Sequence, residues 1–482
     1  MKKNIYHLAL IVSFILFSSC SKEFTETQFF QEDRADEGIS SVEQLSSLLR
    51  GAYVSMRDAN YLGCNYRAYA EIRSDEMHYL FNSPSLTEVA TYTLSGQDAY
   101  GPTEFTWKTI YQVVSSANIV INAPDDLPWG EGNTPQERTN EIKKLKAQAY
   151  TIRALAFFDL LRLYGQKYAG GTLGVVLPTR YDANAHSTRA TIPQTESQIE
   201  TDFQKAIELF EQVSHSQGVP LENLVDTDHR NYISPLAVKA LQSRYYLYKG
   251  EWQRATQCAQ EVIFSGIYQL ASASELKSSF QKANTPNSIF ELTVGINGTL
   301  STQSYDYLIN SKGSGEMAVS RQAQQLYEPG DVRASLIETD DIIGIDMYFL
   351  NDKFSDLEGN SNIKVIRYEE VLLNAIEALL HSGDDETALT LYNELRGQRG
   401  LSEVTSVSLD ELKKERVREL LGEGFRYWDL LRWGDTVPQG NIDGSFSPSN
   451  NKTVPNRLFA FPIPQIERMS PNSKGVQQNE GY

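Results

Sequence analysis

The sequence predicts a mainly α-helical protein, with paired helices forming one lobe beside an irregular, loop-rich lobe that has few short strands. Three observations predict this. Long segments place apolar residues three and four positions apart, the period of a helix face. Two short motifs recur at matching offsets, each with a helix before and after it. Between the helical regions, residues 266–362 lack that period and offer only strand-like runs such as Ser288 to Val294.

The elements follow in order. Residues 20–40 are polar and aperiodic and read as a tether. Ser41 to Met56 reads as a first helix, with Leu45, Leu48, Leu49 and Tyr53 on one side. Residues 57–103 mix aromatics, glycines and polar residues and read as loop and short strand. Glu104 to Asn122 is helical, and Asp125-Asp126-Leu127-Pro128-Trp129-Gly130 breaks it. Thr139 to Tyr164 is a long, densely apolar helix. Helices then run from Glu196 to Val213, Ser234 to Tyr248 and Glu251 to Phe264. They resume at Val365 to Leu380, Asp385 to Arg396 and Leu409 to Glu423. The domain boundaries are therefore 1–19, 20–40, 41–265, 266–362 and 363–482.

The first repeat is a hairpin grammar. Tyr248-Lys249-Gly250-Glu251-Trp252 reaches Ala255 five residues after its glycine, and Leu380-His381-Ser382-Gly383-Asp384 reaches Ala388 at the same offset. A turn glycine followed by a small alanine lets two helices approach closely, as in tetratricopeptide repeats. The second repeat ends helices. Phe158-Asp159-Leu160-Leu161-Arg162-Leu163-Tyr164-Gly165 parallels Trp428-Asp429-Leu430-Leu431-Arg432-Trp433-Gly434. In each, Asp and Arg lie three apart on one face, and the glycine suits a left-handed cap. Asp159 and Asp429 read as partners of nearby arginines rather than as catalytic carboxylates.

The chain opens with Lys2 and Lys3, an apolar run from Leu8 to Phe17, and then Ser18-Ser19-Cys20. A basic start, about ten apolar residues and a small-residue cleavage site form a secretory signal. The run is shorter than the ~20 residues that span a bilayer. A cysteine directly after small residues is the lipobox arrangement, in which Cys20 takes a lipid and becomes the first residue. Without residues 1–19 the chain carries 42 basic and 62 acidic side chains. That balance argues against nucleic acid and against lying flat on anionic lipid. Cys64 and Cys258 then remain, as two buried thiols or, alternatively, one long-range disulfide.

The block Glu415-Arg416-Val417-Arg418-Glu419-Leu420-Leu421-Gly422-Glu423-Gly424-Phe425-Arg426-Tyr427-Trp428-Asp429-Leu430-Leu431-Arg432-Trp433-Gly434 resembles the C-terminal signature of the SusD/RagB family, nutrient-binding outer-membrane lipoproteins of Bacteroidetes. Arg153-Ala154-Leu155-Ala156-Phe157-Phe158-Asp159-Leu160 through Tyr164-Gly165 resembles that family's long repeat helix. Phe461-Pro462-Ile463-Pro464 with Glu467 resembles its late motif, and Gln478-Asn479-Glu480-Gly481-Tyr482 its ending, with Glu480 where proline is usual. The resemblance spans nearly the whole chain after the signal. It implies a tetratricopeptide-like helical-repeat lobe packed against an irregular loop-rich lobe with few short strands. It also implies a lipid-anchored protein at the outer membrane, facing the cell surface and held by its acyl chains alone. The implied partners are a SusC-like TonB-dependent transporter and a glycan ligand, or in some members a peptide. Lys22-Glu23 and Glu26 are a weak form of the acidic stretch that favours surface export.

Binding in the family falls on loops after the first helix and in the irregular lobe. Arg73-Ser74-Asp75-Glu76 resembles a recurring element there. The candidate ligand contacts are Asp75, Tyr79, Phe81, Asn82 and Tyr92, then Tyr305, Tyr307 and Tyr327. Sugars present apolar C–H faces and hydroxyls, so their sites use flat aromatics edged by Asn, Asp or Arg. Trp107, Trp252, Trp428 and Trp433 read as packed, and Trp129 as exposed. Enzyme motifs are absent: no His-Glu-x-x-His, no Gly-x-Ser-x-Gly and no phosphate-cradling loop. The six histidines lack metal spacing. The expected function is therefore binding without a cofactor, with peptide capture and a non-transport repeat scaffold as the alternatives.

Overall fold

The computed structural model describes residues 38–482 apart from 81–83, 97–100, 181–186, 343, 442–444, 447, 471–472 and 474. The signal segment, Cys20, Phe81 and Asn82 lie outside the described residues.

Helix α1 (Val42–Met56) starts where the Ser41 side chain accepts the Gln44 N–H, and it buries Leu45, Leu49, Tyr53 and Met56. Two short helices follow within the stretch expected to be loop: α2 (Asn65–Glu71) and α3 (Pro84–Thr91), with strand β1 (Met77–Tyr79) between them. In α2, Tyr66, Ala68, Tyr69 and Ala70 are all buried. A helix buried on several faces shows no amphipathic period to read.

The repeat lobe is built from α4 (Pro102–Ile121), α5 (Pro135–Tyr164), α6 (Ile192–Gln217), α7 (Pro235–Lys249) and α8 (Trp252–Phe264). Thr134 and Glu137 cap α5 reciprocally, and Thr191 and Gln194 do the same for α6. Every residue from Thr151 to Tyr164 is buried, so α5 is the lobe's central helix. Its charges are paired: Arg153 grips Asp202 at 2.8 and 2.6 Å. The hairpin reading holds in detail. Gly250 (φ +76) and Gly383 (φ +80) are left-handed caps, and Ala255 and Ala388 are fully buried. Trp252 and His381, one from each turn, stack at 3.9 Å with 7° between ring planes. Gly165 differs from Gly434. It is extended (φ −74) rather than left-handed. Its glycine is explained by crowding, since a Cβ there would meet the Leu161 carbonyl oxygen at 2.5 Å.

The segment after α8 carries α9 (Leu276–Gln281), β2 (Ser288–Leu292), α10 (Tyr305–Ile309), β3 (Met317–Val319), α11 (Arg321–Gln324), β4 (Glu338–Ile342), β5 (Ile345–Phe349) and β6 (Ile363–Arg367). Strands β1, β3, β5 and β4 form one antiparallel sheet in that order. Its register pairs Met77 with Val319, Tyr79 with Met317, and Val319 with Tyr348. One face packs on the main core. The other encloses a small cluster of Leu80, Ala318, Met347 and Phe349. β6 pairs with β2, so Val365 and Ile366 belong to a strand where the sequence suggested the start of a helix.

The chain closes with α12 (Tyr368–Ser382), α13 (Asp385–Gln398), α14 (Leu409–Leu420), α15 (Arg426–Trp433) and α16 (Gln465–Met469). One continuous core joins α1 to α12, α13, α14 and α15. Trp107 and Trp428 are buried. Trp129, expected to be exposed, is partly buried against the core beside Leu127. Cys64 and Cys258 are separate, buried thiols, and burial pushes them up to about 12 and about 11. No helix among the described residues is long and apolar enough to cross a membrane.

Candidate functional site

The pairing of β1 with β3 brings the two loop regions singled out in the sequence onto one surface. Ser320 fastens them: its hydroxyl donates to the Asp75 carbonyl and its N–H to the Glu76 carbonyl, both at 2.7 Å. Leu80 N–H donates to the Glu316 carbonyl at 2.9 Å.

A groove of about 400 Å³ opens beside this junction. Asp75, Glu76, Gln322, Gln325, Lys413 and Arg426 line it with polar and charged groups. Leu326 and Val417 add apolar surface. Arg426 holds Asp75 through Nε to Oδ1 at 2.7 Å and Nη2 to Oδ2 at 2.8 Å. Burial opposes the charge on Arg426, but its bonds to Asp75 hold its pKa above the ordinary value. Planar amides, a carboxylate and a guanidinium converge here, the donors and acceptors that hydroxyl-rich ligands use. Of these residues the sequence pointed only to Asp75. Gln322 and Gln325 carried no signal, and Arg426 was visible only as part of the 415–434 block.

The tyrosines divide by burial. Tyr79, Tyr307 and Tyr327 are half-buried, and the Tyr327 hydroxyl donates to the Arg418 carbonyl at 3.1 Å. Tyr305 is fully buried, with the Arg67 guanidinium 4.2 Å over its ring. Tyr92 is buried in a left-handed conformation (φ +58) under Lys452, 4.3 Å from its ring. Neither Tyr92 nor Tyr305 offers a ligand a free ring face, which corrects the expectation for both.

Beside Tyr305, Arg67, Asp306 and Lys353 wall a cavity of about 60 Å³. It is far narrower than the groove beside Asp75. A broader hollow of about 550 Å³ lies on the repeat helices, but its charges already pair, Arg254 with Glu251 at 2.7 Å. Among the described residues no group of three His, Cys, Asp or Glu side chains is placed to hold a metal.

The 415–434 block serves as scaffold beneath the groove. Glu419 accepts from Arg333, Arg367 and Arg399 at 2.8–2.9 Å, all buried. Burial alone would raise Glu419, but the three arginines hold it well below the ordinary carboxylate range. Asp429 pairs with Arg416 and Arg432, and Asp159 with Arg162, Tyr61 and Tyr66. Both repeated aspartates are thus occupied by structural partners.

Comparison with known proteins follows this architecture. A family model described as "SusD family" matches residues 290–482, and one described as "Starch-binding associating with outer membrane" matches residues 28–224. The chain is 24% identical to SusD-like protein P2 of Formosa agariphila, over 91% of this chain and 92% of that one. It superposes on a SusD superfamily protein of Bacteroides thetaiotaomicron with a TM-score of 0.77 at 27% identity, covering 91% and 99% of the two chains. A laminarin-binding SusD-like protein shares the fold at 22% identity, with a TM-score of 0.70 over 92% of this chain and 100% of that one.

Proposed function

This chain belongs to the SusD family, and we propose that it is a cell-surface lipoprotein that binds oligosaccharides or polysaccharide fragments and delivers them to a SusC-like TonB-dependent transporter. The observation that carries the reading is the β1–β3 pairing, which sets the Asp75 loop and the 305–327 segment side by side around a polar groove. Tyr79, on β1, and Tyr307 and Tyr327, within the 305–327 segment, are half-buried and would add rings beside that groove, while Asp75, Gln322 and Gln325 would supply hydrogen bonds in it. The laminarin-binding relative and the starch-binding family description support a glycan as ligand. Lipid on Cys20 would tether the body at the membrane, since two acyl chains anchor stably where one does not. Binding is its whole chemistry in this reading, with no catalytic turnover.

The test is retardation of the chain in native gels containing laminarin or starch, with calorimetry against short peptides in parallel. Retardation by a glycan supports the reading. Peptide binding without glycan binding would favour the second reading, which the mixed charges of Asp75, Lys413 and Arg426 make chemically reasonable for a ligand with charged termini.

A further inference from the structure

Glu71 ends α2 and Glu76 leads into β1. Both are buried, at 0% and 2% exposure. Ser74 ties the two together, its hydroxyl donating to the Glu71 carbonyl at 2.8 Å and accepting the Glu76 N–H at 3.1 Å, and the two carboxyls act on each other directly. Glu71 Oε1 accepts the N–H of Gly424. The Oε2 atoms of both side chains are buried and receive no hydrogen bond from the protein. Two ionised carboxylates so placed would present acceptors only to each other, and like charges at that range do not both persist. One proton between the carboxyls removes both faults: the acid donates to the carboxylate beside it.

The surrounding charges do not supply an alternative donor. Arg426 favours charge on Glu76, but it is already engaged by Asp75. Lys353 favours charge on Glu71, but it bonds Glu423 at 2.7 Å and the Leu421 carbonyl at 2.8 Å. Asp75 and Glu423 oppose a second negative charge. The Tyr305 hydroxyl feels both carboxyls and that of Tyr327 feels Glu76, and neither bonds to them.

The pair spans a joint. Glu71 and Glu76 bracket the loop that carries Asp75, and Gly424 belongs to the turn between α14 and α15. Gly422 (φ +80) and Gly424 (φ +85) give that turn a conformation other residues resist. We infer that Glu71 and Glu76 form a proton-operated latch that holds the Asp75 loop against the Gly422–Gly424 turn, shut while the pair shares a proton and loosened once both are charged. Nothing in this requires a bound glycan, so it stands or falls apart from the proposed function.

Burial pushes both carboxyls up, Glu71 to about 7 and Glu76 well above its ordinary range. The sign follows. A group whose folded pKa is raised stabilises the fold fully below its unfolded value and ceases to as pH climbs through the folded value. Glu71 therefore loses its proton first, at about 7, and leaves the one the two carboxyls share; the latch stays shut until that proton also leaves Glu76, on the alkaline side.

The experiment is hydrogen exchange by mass spectrometry on the mature chain, following peptides that contain Gly424 from about pH 6 to about pH 10, corrected for intrinsic exchange. Once the second proton begins to leave, the opening equilibrium should rise about tenfold per pH unit in the native protein. In Glu76→Gln the amide N–H₂ stands in for the shared proton, so protection should stay flat across the range. Glu71→Gln, whose amide oxygen still accepts from Gly424, should behave likewise. A pH-dependent loss of protection that is the same in native protein and both variants overturns the latch. So does failure of both variants to fold, because that would show that charge rather than a proton is needed there.

Discussion

Asp75 and Arg426 stand 351 positions apart and meet as a two-point ion pair, Nε to Oδ1 at 2.7 Å and Nη2 to Oδ2 at 2.8 Å. Parallel bonds of this kind fix orientation as well as distance. They tie the loop before β1 to the first turn of α15. Both side chains keep some contact with water, at 25% and 12% exposure, so screening reduces what the pair contributes. Asp75→Asn and Arg426→Gln should each cost about 1–2 kcal/mol in urea denaturation, less than the loss of a fully buried partner. The double variant should cost clearly less than the sum, because the two changes remove one shared interaction. Strict additivity would show that the pair does not couple the elements.

Glu419 is the opposite case. It sits among Arg333, Arg367 and Arg399 with about 1% of its side chain exposed. Glu419→Gln leaves three guanidiniums facing a neutral amide. Breaking a buried network by removing one partner costs about 3–5 kcal/mol, so this variant should unfold at much lower urea or fail to accumulate. Glu415, Glu423 and Asp429 are held below their ordinary values as well: burial works against each, and neighbouring arginines, joined by Lys353 at Glu423, outweigh it. Depressed carboxylates stabilise above their unfolded pKa values and lose that contribution as pH falls through the folded ones. Stability measured against pH should therefore drop steeply on the acid side below about pH 4. Glu419→Gln should shrink that drop.

Glycine positions separate backbone effects from packing. A Cβ on Gly383 would touch nothing within 4 Å, yet its φ is +80. A Cβ on Gly397, inside α13, would also touch nothing, and no positive φ is recorded there. Gly383→Ala should destabilise by about 1–2 kcal/mol through left-handed strain alone. Gly397→Ala should stabilise by about 0.5–1 kcal/mol, since alanine loses less entropy in a helix. Thermal melts of the two variants should move in opposite directions. Equal signs would mean the hairpin cap is not the strained position.

What could be read from the sequence depended on how local the cause was. Amphipathic helices such as α1 and α8 declare themselves in their own residues. The repeat turns did so too, because Gly250 and Gly383 act within a single turn. β6 did not. Its apolar run flows into α12, and what makes it a strand is Ser288–Leu292, some seventy positions earlier. Gly165 and Gly434 look alike in sequence and differ in backbone: a Cβ on Gly165 would run into Leu161, while one on Gly434 would meet nothing within 4 Å. The groove was half legible for the same reason. Asp75 sat in a recognisable tetrapeptide, but its partner Arg426 and the amides of Gln322 and Gln325 arrive through the sheet and the last helices.

The ring of Tyr307 and the ring of Tyr305 lie two positions apart on α10 and should separate binding from folding. Tyr305 is fully enclosed, edge-on to Phe354 at 5.2 Å and covered by Arg67. Tyr305→Ala empties that space and should cost about 3–5 kcal/mol of stability, as other large aromatic truncations do. Tyr307 is half-buried, so part of the residue reaches solvent. A stacking contact is worth about 0.5–1.5 kcal/mol, so Tyr307→Ala should weaken retardation by laminarin about two- to tenfold while the melting temperature barely moves. Gln325→Ala should likewise reduce retardation without loss of stability, since its side chain is exposed at the groove's edge. If Gln325→Ala weakens binding and Tyr307→Ala does not, the ligand is held by hydrogen bonds in the groove and not on the tyrosine rings. If neither variant changes retardation of a protein that does bind laminarin, the glycan sits elsewhere on the molecule.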